Sequence, residues 1–276
     1  MSKAAASPEP EFPHPPADGK STVVACLGAS ITEAKGSFDW VAELAARECN
    51  RHVRFRKFGV GGDLSYNALQ RLPEVIACRP DKVVILIGSN DAITAASRKV
   101  RRIFRTWKKL PKRPTPEWYR ENLRAIVRRL KSETSASVGL CSLPPIGEAA
   151  QSANPFQREL NRRIEEIGAI IREVAREEAL DYIPVHEAMQ AEIAATPGRA
   201  FTGFWFLAFY RDAFRLRVLG RSLDDLARLN GWRIHTDGIH LNSCGGMMLA
   251  ELVQRYIEGK DEIPKPLSAD CADERG

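Results

Sequence analysis

Short apolar runs rich in β-branched residues alternate along this chain with segments that have the spacing of amphipathic helices. Runs of this kind are typical of strands that are buried on both faces of a parallel sheet. Helical connections between parallel strands wind right-handed and cover both faces of the sheet. The pattern therefore predicts an α/β fold with a doubly wound parallel sheet of five strands. The predicted strands are residues 23–27, 52–58, 82–87, 137–143 and 181–185.

The segments between these strands carry apolar residues three and four positions apart, which predicts helices. The second strand alternates apolar and charged residues with a period of two, as a strand at the edge of a sheet or a half-exposed strand does. A chain of 276 residues is long enough for one large domain or two small ones. The predicted helices are residues 37–50, a single helix through 69–76, 117–131, 155–178 and 244–257.

Three residues that could take part in catalysis or ligand binding follow predicted strands. Ser30 comes after the first strand, Gly62 after the second and Asn90 after the third. In an open parallel sheet, the segments that leave the carboxyl ends of the strands form the crevice in which ligands bind. We therefore expect these three residues to lie close together in such a crevice.

Ser30 stands between the first strand and a helical pattern, where a nucleophile would lie beside the free N–H groups of a helix start. By itself, a serine at such a turn is more often a helix cap. A nucleophilic serine needs a histidine base, a carboxylate that orients the base, and donors for an oxyanion. The interpretation of Ser30 as a nucleophile therefore depends on these groups being present elsewhere in the chain.

Asp237 and His240 are candidates for the carboxylate and the base. Only two residues separate them, so they can share one turn, with the carboxylate fixing the histidine tautomer and the other ring nitrogen facing Ser30. The alternative is that His240 is a buried histidine with structural hydrogen bonds. His235, beside this segment, is interpreted as a surface or supporting residue. The histidines without partner or metal-ligand spacing are His14, His52 and His186.

The candidate oxyanion donors are the backbone N–H groups of Ser30 and Gly62 and the side-chain amide of Asn90. Glycine suits a loop whose backbone approaches a ligand closely, and asparagine supplies a neutral donor. The alternative for Asn90 is that its side chain only stabilises a turn.

Four short blocks of this chain resemble those of the SGNH hydrolases, also called the GDSL-type esterase/lipase family. They occur in the family order within about residues 22–256, which is most of the chain. The resemblance places the residues that name the family on Ser30, Gly62, Asn90 and His240, with Asp237 as the carboxylate and Gly62 rather than Gly61 as the donor. It implies a three-layer α/β/α sandwich of flavodoxin-like topology. The blocks are GASIT at 28–32, GVGGD at 59–63, GSND at 88–91 and DGIHL at 237–241.

The resemblance implies a serine-dependent carboxylic-ester hydrolase, an esterase or lipase, with no cofactor and no metal. Its expected substrate is a small-molecule or lipid ester. An acyltransferase would use the same residues, and a non-catalytic scaffold that binds anionic surfaces is the alternative from another class. No GxSxG elbow is present, which disfavours the other large α/β hydrolase family. Ala29 stands where the family has an aspartate; because this position is outside the triad, we expect activity to survive at a modest level.

Positive charge is concentrated in one segment. The net charge is +6, but nine basic residues and no acidic residue lie within 98–113, so without these nine it would be −3. An apolar stripe within 98–110 faces away from the charges, which is typical of a helix that lies on an anionic membrane surface. The alternative is that the stripe packs on the body of the protein. The stripe consists of Val100, Ile103, Phe104, Trp107 and Leu110.

Other partners and the domain limits also follow from composition. Nucleic-acid binding is not expected, because base-stacking aromatics and a broad phosphate track are not evident.

Residues 200–229 form a second insertion, rich in aromatic residues, that is expected to cap the core or to line an acyl pocket. We expect a disordered leader at 1–20, a hydrolase domain at 21–258 with rim insertions at about 98–113 and 200–229, and a flexible tail at 259–276.

The expected location is the cytoplasm. The first twenty residues contain no apolar core of a secretory signal, and no window of the chain reaches the length of a membrane span. The six cysteines are scattered without paired spacing, which favours a reducing compartment and gives no zinc-ligand pattern.

Overall fold

The computed structural model describes residues 21–149, 152–203, 218 and 220–260. Its centre is a five-stranded sheet, parallel throughout, with the strand order β2-β1-β3-β4-β5. This is the order of a doubly wound, flavodoxin-like sheet, so the predicted fold class is confirmed. The strands are β1 (Thr22–Gly28), β2 (Val53–Gly59), β3 (Lys82–Leu86), β4 (Ser137–Cys141) and β5 (Asp181–Ile183).

Helices connect the strands and cover both faces of the sheet. In the described ranges they are α1 (Ser30–Glu33), α2 (Trp40–Ala46), α3 (Ser65–Gln70), α4 (Leu72–Ala77), α5 (Ser89–Ala96), α6 (Arg98–Trp107), α7 (Pro116–Glu133), α8 (Pro155–Glu177), α9 (Val185–Ala195), α10 (Leu223–Asn230) and α11 (Ser243–Glu258), with a short 3₁₀ helix at Glu48–Asn50. On one face α7 packs against α3 and α8, and on the other α11 packs against α2 and α9. The sheet between them makes the third layer.

The burial of the strands follows the sequence pattern. Residues 24–27 of β1, an inner strand of the sheet, have no solvent exposure. In the edge strand β2, Val53 and Phe55 are buried whereas Arg54 between them is exposed. Alternation thus marks the strand with one open side, and a continuous apolar run marks the strand that is covered on both faces.

The single helix predicted through 69–76 is wrong, because the structure has two helices there. α3 ends at Gln70 and α4 begins at Leu72, with Arg71 between them. Pro73 lies in the first turn of α4, where its missing N–H costs nothing. A continuous helix would bring the proline ring against a carbonyl of the preceding turn.

Three helices, α5, α9 and α10, were not predicted, and β4 and β5 each end two residues before the predicted end. α5 begins with Ser89, Asn90 and Asp91, residue types that compete with helix by bonding to the local backbone. α9 follows Pro184 and has no side-chain cap, so the usual start signal is missing. Pro184 also explains why β5 ends at Ile183, since proline cannot donate to the sheet.

Several expectations fall on residues outside the described ranges. These include the leader at 1–20, the tail from 261, half of the insertion at 200–229, and His14. The domain limits therefore stay a prediction. Among the residues that the structure describes, no helix combines the length and the apolar character that crossing a membrane requires.

Candidate active site

The loops that follow β1, β2 and β3 meet at the carboxyl edge of the sheet, because β1 lies between the other two strands. They carry Ser30, Gly62 and Asn90, the residues that the sequence places in one crevice. Ser30 is the first residue of α1 and is partly exposed. Ala29 occupies the cap position, where no side chain caps the helix, so Ser30 does not act as a cap.

Ser30, His240 and Asp237 form a continuous chain of hydrogen bonds. His240 Nε2 lies 3.0 Å from Ser30 Oγ, and His240 Nδ1 lies 2.7 Å from Asp237 Oδ2. The carboxylate accepts the Nδ1 proton, which leaves the Nε2 lone pair directed at the Ser30 hydroxyl. The serine hydroxyl thus lies beside an imidazole nitrogen that can accept its proton.

The base and the carboxylate lie on one tight hairpin, residues 235–241, whose ends form a β-bridge. Asp237 Oδ1 accepts the backbone N–H groups of Ile239 and His240 at 2.9 and 2.8 Å. Gly238 between them has a φ of +90°, which glycine adopts without steric cost. One carboxylate oxygen of Asp237 therefore shapes the turn while the other orients the ring.

The charges around the hairpin favour an ionised carboxylate and a basic imidazole. Burial alone would raise the pKa of Asp237, but the charge and hydrogen bonds of His240 outweigh this effect and lower the pKa to about 2. Burial alone would lower the pKa of His240, but Asp237 outweighs it, with a contribution from Glu33, and raises the pKa above its ordinary value. The His240 side chain is 22% exposed and that of Asp237 is 36% exposed, so the pair can be reached from solvent.

Gly62 and Asn90 lie on adjoining loops. The Asn90 side chain donates to the backbone oxygen of Asp63, the residue after Gly62, at 2.9 Å, and its second N–H can serve another acceptor. Gly62 has a φ of +76°, a conformation that favours glycine at this position. Among the described residues, no backbone acceptor takes the N–H of Ser30 or of Gly62. Both N–H groups are therefore free to bind an anionic oxygen.

A buried carboxylate, Asp63, anchors the Gly62 loop. It accepts Arg71 Nε at 2.6 Å and Lys108 Nζ at 2.9 Å, and its side chain is 5% exposed. Arg71 also donates to the backbone oxygens of Gly28 and Phe58, at 2.9 and 3.1 Å. The loops after β1 and β2 are therefore tied to each other and to the end of α6. The sequence places Asp63 in a motif but gives no sign of its two cationic partners.

A second buried carboxylate, Asp91, joins the starts of α3 and α5. Its two oxygens accept the backbone N–H of Ser65 at 3.0 Å and the Ser65 hydroxyl at 2.7 Å. Asn122 in turn donates to the Ser65 hydroxyl at 3.1 Å. Burial raises the pKa of Asp91 to about 7, although the bonds from Ser65 oppose this shift. The contact fixes Asn90, which precedes Asp91, relative to the Gly62 loop.

Glu33 places a negative charge at the end of α1, the helix that begins after Ala29. Its Oε2 atom accepts the backbone N–H of Gly61 at 3.0 Å, and its charge is one of the causes of the raised pKa of His240. Sequence reasoning missed this residue, whose signal was an acidic side chain three positions after Ser30. Glu33 thus links the serine helix, the Gly62 loop and the electrostatics of the base.

The basic helix α6 ends directly over the Gly62 loop. A methyl group added at Gly62 would lie 2.4 Å from two ring carbons of Trp107, so the indole rests on this glycine. The apolar stripe is divided: Val100 and Leu110 are buried, whereas Ile103 and Trp107 are 43% and 58% exposed. The segment therefore packs on the body of the protein through Val100 and Leu110, and its contact with a membrane surface stays a prediction.

The other histidines have different surroundings. His235 is fully buried and bonded to Glu148, so its interpretation as a surface residue is wrong and that as a supporting residue stays open. His52 is exposed, and His186 Nδ1 lies 2.9 Å from the backbone oxygen of Leu143. Within the described part of the chain, no three His, Cys, Asp or Glu side chains are grouped so as to hold a metal ion.

Comparison with known proteins gives one family and one fold. Residues 26–245 match the model of the GDSL-like lipase/acylhydrolase family. No curated protein sequence matches the chain.

Solved structures with the same fold include two acetylxylan esterases and one α/β hydrolase. The acetylxylan esterase Axe2 from Geobacillus stearothermophilus is 20% identical, with a TM-score of 0.59 over 87% of this chain and 95% of that one. The acetyl xylan esterase AlAXEase is 20% identical, with a TM-score of 0.57 over 85% and 99%. LAE5, from the metagenome of Lake Arreo in Spain, is 19% identical, with a TM-score of 0.58 over 90% and 98%. Catalytic mutants of Axe2 with a serine, an aspartate or a histidine replaced by alanine also match.

Proposed function

Because the chain belongs to the GDSL-like lipase/acylhydrolase family and is an ester-hydrolysing enzyme, we propose that it cleaves carboxylic esters through a triad of Ser30, His240 and Asp237. The observation that carries the proposal is the unbroken hydrogen-bonded chain from Ser30 Oγ to Asp237 at 3.0 and 2.7 Å. Axe2, which has the same fold, has catalytic mutants at a serine, an aspartate and a histidine. These are the three residue types of the proposed triad.

The proposed reaction begins when Ser30 Oγ attacks the ester carbonyl carbon and its proton passes to His240 Nε2. Asp237 stabilises the imidazolium that forms, without taking its proton. When the tetrahedral intermediate collapses, His240 returns the proton to the leaving alcohol and Ser30 carries the acyl group. A water molecule, deprotonated by His240, then attacks the acyl-serine. When this second intermediate collapses, the acid leaves and His240 returns the proton to Ser30 Oγ.

The negative oxygen of each tetrahedral intermediate would be bound by three neutral donors. These are the backbone N–H groups of Ser30 and Gly62 and the side-chain amide of Asn90. Donors that are fixed before the reaction stabilise the oxyanion without reorganising, and losing one costs about a hundredfold to a thousandfold in kcat. The contacts of Asp63 and Asp91 supply this fixation, since they tie the Gly62 and Asn90 loops together.

Labelling with a fluorophosphonate tests the proposal without any assumption about the substrate. We expect the purified protein to become modified at Ser30, as mapped by peptide mass spectrometry, and the His240→Ala variant to remain unlabelled. A folded protein that is inert both in buffer and with added detergent or liposomes would refute the esterase proposal. If Ser30 is labelled, adding an acceptor alcohol during ester turnover separates hydrolysis from acyl transfer, which would use the same residues.

The pH dependence should report the charge on Glu33. Only neutral His240 can accept the serine proton, so activity falls as the pH decreases through the raised pKa of His240. Glu33→Gln removes one cause of that raised pKa while its amide oxygen can still accept the Gly61 N–H. We therefore expect the acidic limb of kcat/KM to move to lower pH, by less than about one pH unit. The exposed Glu48→Gln serves as the control, and an unmoved or alkaline-shifted limb for Glu33→Gln would contradict the assignment.

We further propose that the substrate of this enzyme is met at an anionic lipid surface on which α6 rests. Ile103 and Trp107 expose apolar area on this helix, and no acidic residue lies within 98–113. Exposed aromatic and aliphatic side chains among basic ones are the pattern of helices that bind anionic interfaces. The exposed basic residues of the segment are Arg98, Lys99, Arg102, Arg105, Lys109, Lys112 and Arg113.

Sedimentation with liposomes tests this surface. We expect binding to vesicles that contain phosphatidylserine, weakening with salt, and little binding to purely zwitterionic vesicles. Arg102→Glu with Arg105→Glu should weaken binding by at least about tenfold, since each basic residue contributes about 1 kcal/mol. The control pair Arg51→Glu with Arg54→Glu makes the same change in net charge on exposed residues elsewhere. Equal losses in both pairs, or equal binding to both kinds of vesicle, would exclude a specific role for α6.

A further inference from the structure

A second carboxylate–histidine pair lies buried behind the hairpin that carries Asp237 and His240. Glu148 and His235 are 1% and 0% exposed. His235 Nδ1 lies 2.9 Å from Glu148 Oε1, and His235 Nε2 lies 3.0 Å from the backbone oxygen of Pro145. Neither residue belongs to the proposed triad, and Glu148 does not lie in any of the sequence motifs described above.

The partners of the His235 ring indicate its protonation state. A neutral imidazole has one N–H donor, whereas both ring nitrogens of His235 face groups that accept hydrogen bonds. One of the two contacts would therefore lack a proton unless the ring is an imidazolium or Glu148 is protonated. Protonated Glu148 is disfavoured because its oxygens also accept the backbone N–H groups of residues 233–235, at 2.7 to 2.9 Å.

The environment of Glu148 supports the ionised carboxylate. Burial alone would raise the pKa of Glu148, but the hydrogen bond and charge of His235 and the backbone N–H groups of Arg233 and Ile234 outweigh it and lower the pKa. Two arginines bond to Glu148 through their backbones, Arg199 and Arg233, and the side chains of both are exposed. Neither of these two arginine side chains is buried with the carboxylate.

The pair is connected to the hairpin through the backbone. Three successive N–H groups that end at His235 bind the carboxylate, and His235 itself forms one end of the β-bridge that closes the hairpin. The Gly147 N–H, next to Glu148, donates to the backbone oxygen of Gly238 at 2.8 Å, between Asp237 and His240. The segment around Glu148 therefore contacts the hairpin at two places, at the start of the hairpin beside His235 and at the turn beside Gly238.

From this arrangement we propose that Glu148 and His235 form a buried carboxylate–imidazolium pair that positions the hairpin for the triad, an inference that rests on the proposed function. Neither side chain is expected to touch the substrate. They act by holding the hairpin backbone, so that His240 Nε2 remains within hydrogen-bond distance of Ser30.

The charge state can be read in the whole protein by NMR with ¹⁵N-labelled histidine side chains. We expect His235 to carry protons on both ring nitrogens at neutral pH, because each nitrogen faces a group that accepts a hydrogen bond. The exposed His52 gives the internal comparison. A single protonated nitrogen on His235 would overturn the ion pair, and this measurement needs neither a variant nor activity.

The positioning role is tested with Glu148→Gln. The amide has no charge, and its NH₂ group must face one of the backbone N–H groups that now bind the carboxylate. We expect His235 to lose one ring proton and kcat to fall by about tenfold to a hundredfold, with KM within about twofold of the wild-type value. His235→Gln should give the same kinetic result if Glu148→Gln does not fold.

Glu187→Gln is the matched control. Glu187 is a partly buried carboxylate at the neighbouring strand ends that bonds Ser142, Arg172 and Tyr182 and has no bond to the hairpin. The Glu187→Gln substitution should lower thermal stability without changing kcat. Wild-type kcat in Glu148→Gln, or equal losses in both variants, would overturn the positioning role. An unlabelled Ser30 in the wild-type protein would instead refute the triad, while the NMR result would still report on the pair.

Discussion

Replacing Ser30 with alanine is expected to reduce ester hydrolysis by about 10⁴-fold to 10⁶-fold and to abolish fluorophosphonate labelling. The hydroxyl is the only group of the proposed triad that bonds to the substrate carbon, and removing the nucleophile of other serine hydrolases has effects of this size. Ser30 Oγ bonds to His240 in a partly exposed position, so its removal leaves no buried polar group without a partner. Thermal stability should therefore stay close to that of the wild-type protein.

The measurement for Ser30→Ala is kcat/KM on a panel of esters of increasing acyl length, together with a thermal melting curve. Ser132→Ala removes an exposed hydroxyl on α7 that bonds only within its own helix, and is the matched control. Activity above about one per cent of the wild-type value in a well-folded Ser30→Ala protein would mean that another group attacks the ester. In that case the chain of bonds to Asp237 would have a structural role only.

Replacing Asp237 with asparagine is expected to reduce kcat by about 10⁴-fold near neutral pH. The amide nitrogen would donate to His240 Nδ1, which forces the ring proton onto Nε2, where it points at Ser30 instead of accepting from it. The loss of the Asp237 charge also removes the largest upward effect on the pKa of His240. What activity remains should therefore persist to lower pH than in the wild-type protein.

A comparison of Asp237→Asn with Asp237→Ala separates orientation of the base from shaping of the turn. Asparagine retains an oxygen for the backbone N–H groups of Ile239 and His240, whereas alanine loses both bonds. We expect similar losses of kcat, with a lower melting temperature only for alanine, since each lost bond contributes about 1 kcal/mol. Near wild-type activity of Asp237→Asn would show that the tautomer of His240 is set by something other than this carboxylate.

The sequence predicted most of what lies at the carboxyl edge of the sheet. Ser30, Gly62 and Asn90 could be brought together before any coordinates because each follows a strand, and parallel strands end on one edge. The spacing of Asp237 and His240 likewise needed only the geometry of a turn. Local patterns and one topological rule were sufficient for these positions.

The supporting contacts could not be predicted in this way. Asp63 meets Lys108 across forty-five positions, and Glu148 meets His235 across eighty-seven. Such pairs depend on how loops that are distant in the sequence pack together, and no periodic pattern in the sequence predicts this packing. The break at Pro73 is different, because it has a local signal: the apolar spacing predicts one continuous helix, whereas proline disfavours the interior of a helix.

The attachment of Asp63 to Lys108 has a consequence for the evolution and engineering of this enzyme. The segment 98–113 resembles a detachable addition, since it stands between two regular elements and differs in composition from the rest of the chain. Its last turn nevertheless supplies a cation to the carboxylate that anchors the Gly62 loop, and an indole that rests on Gly62. A lineage, or a designer, that shortens this segment therefore has to rebuild the loop beneath it at the same time.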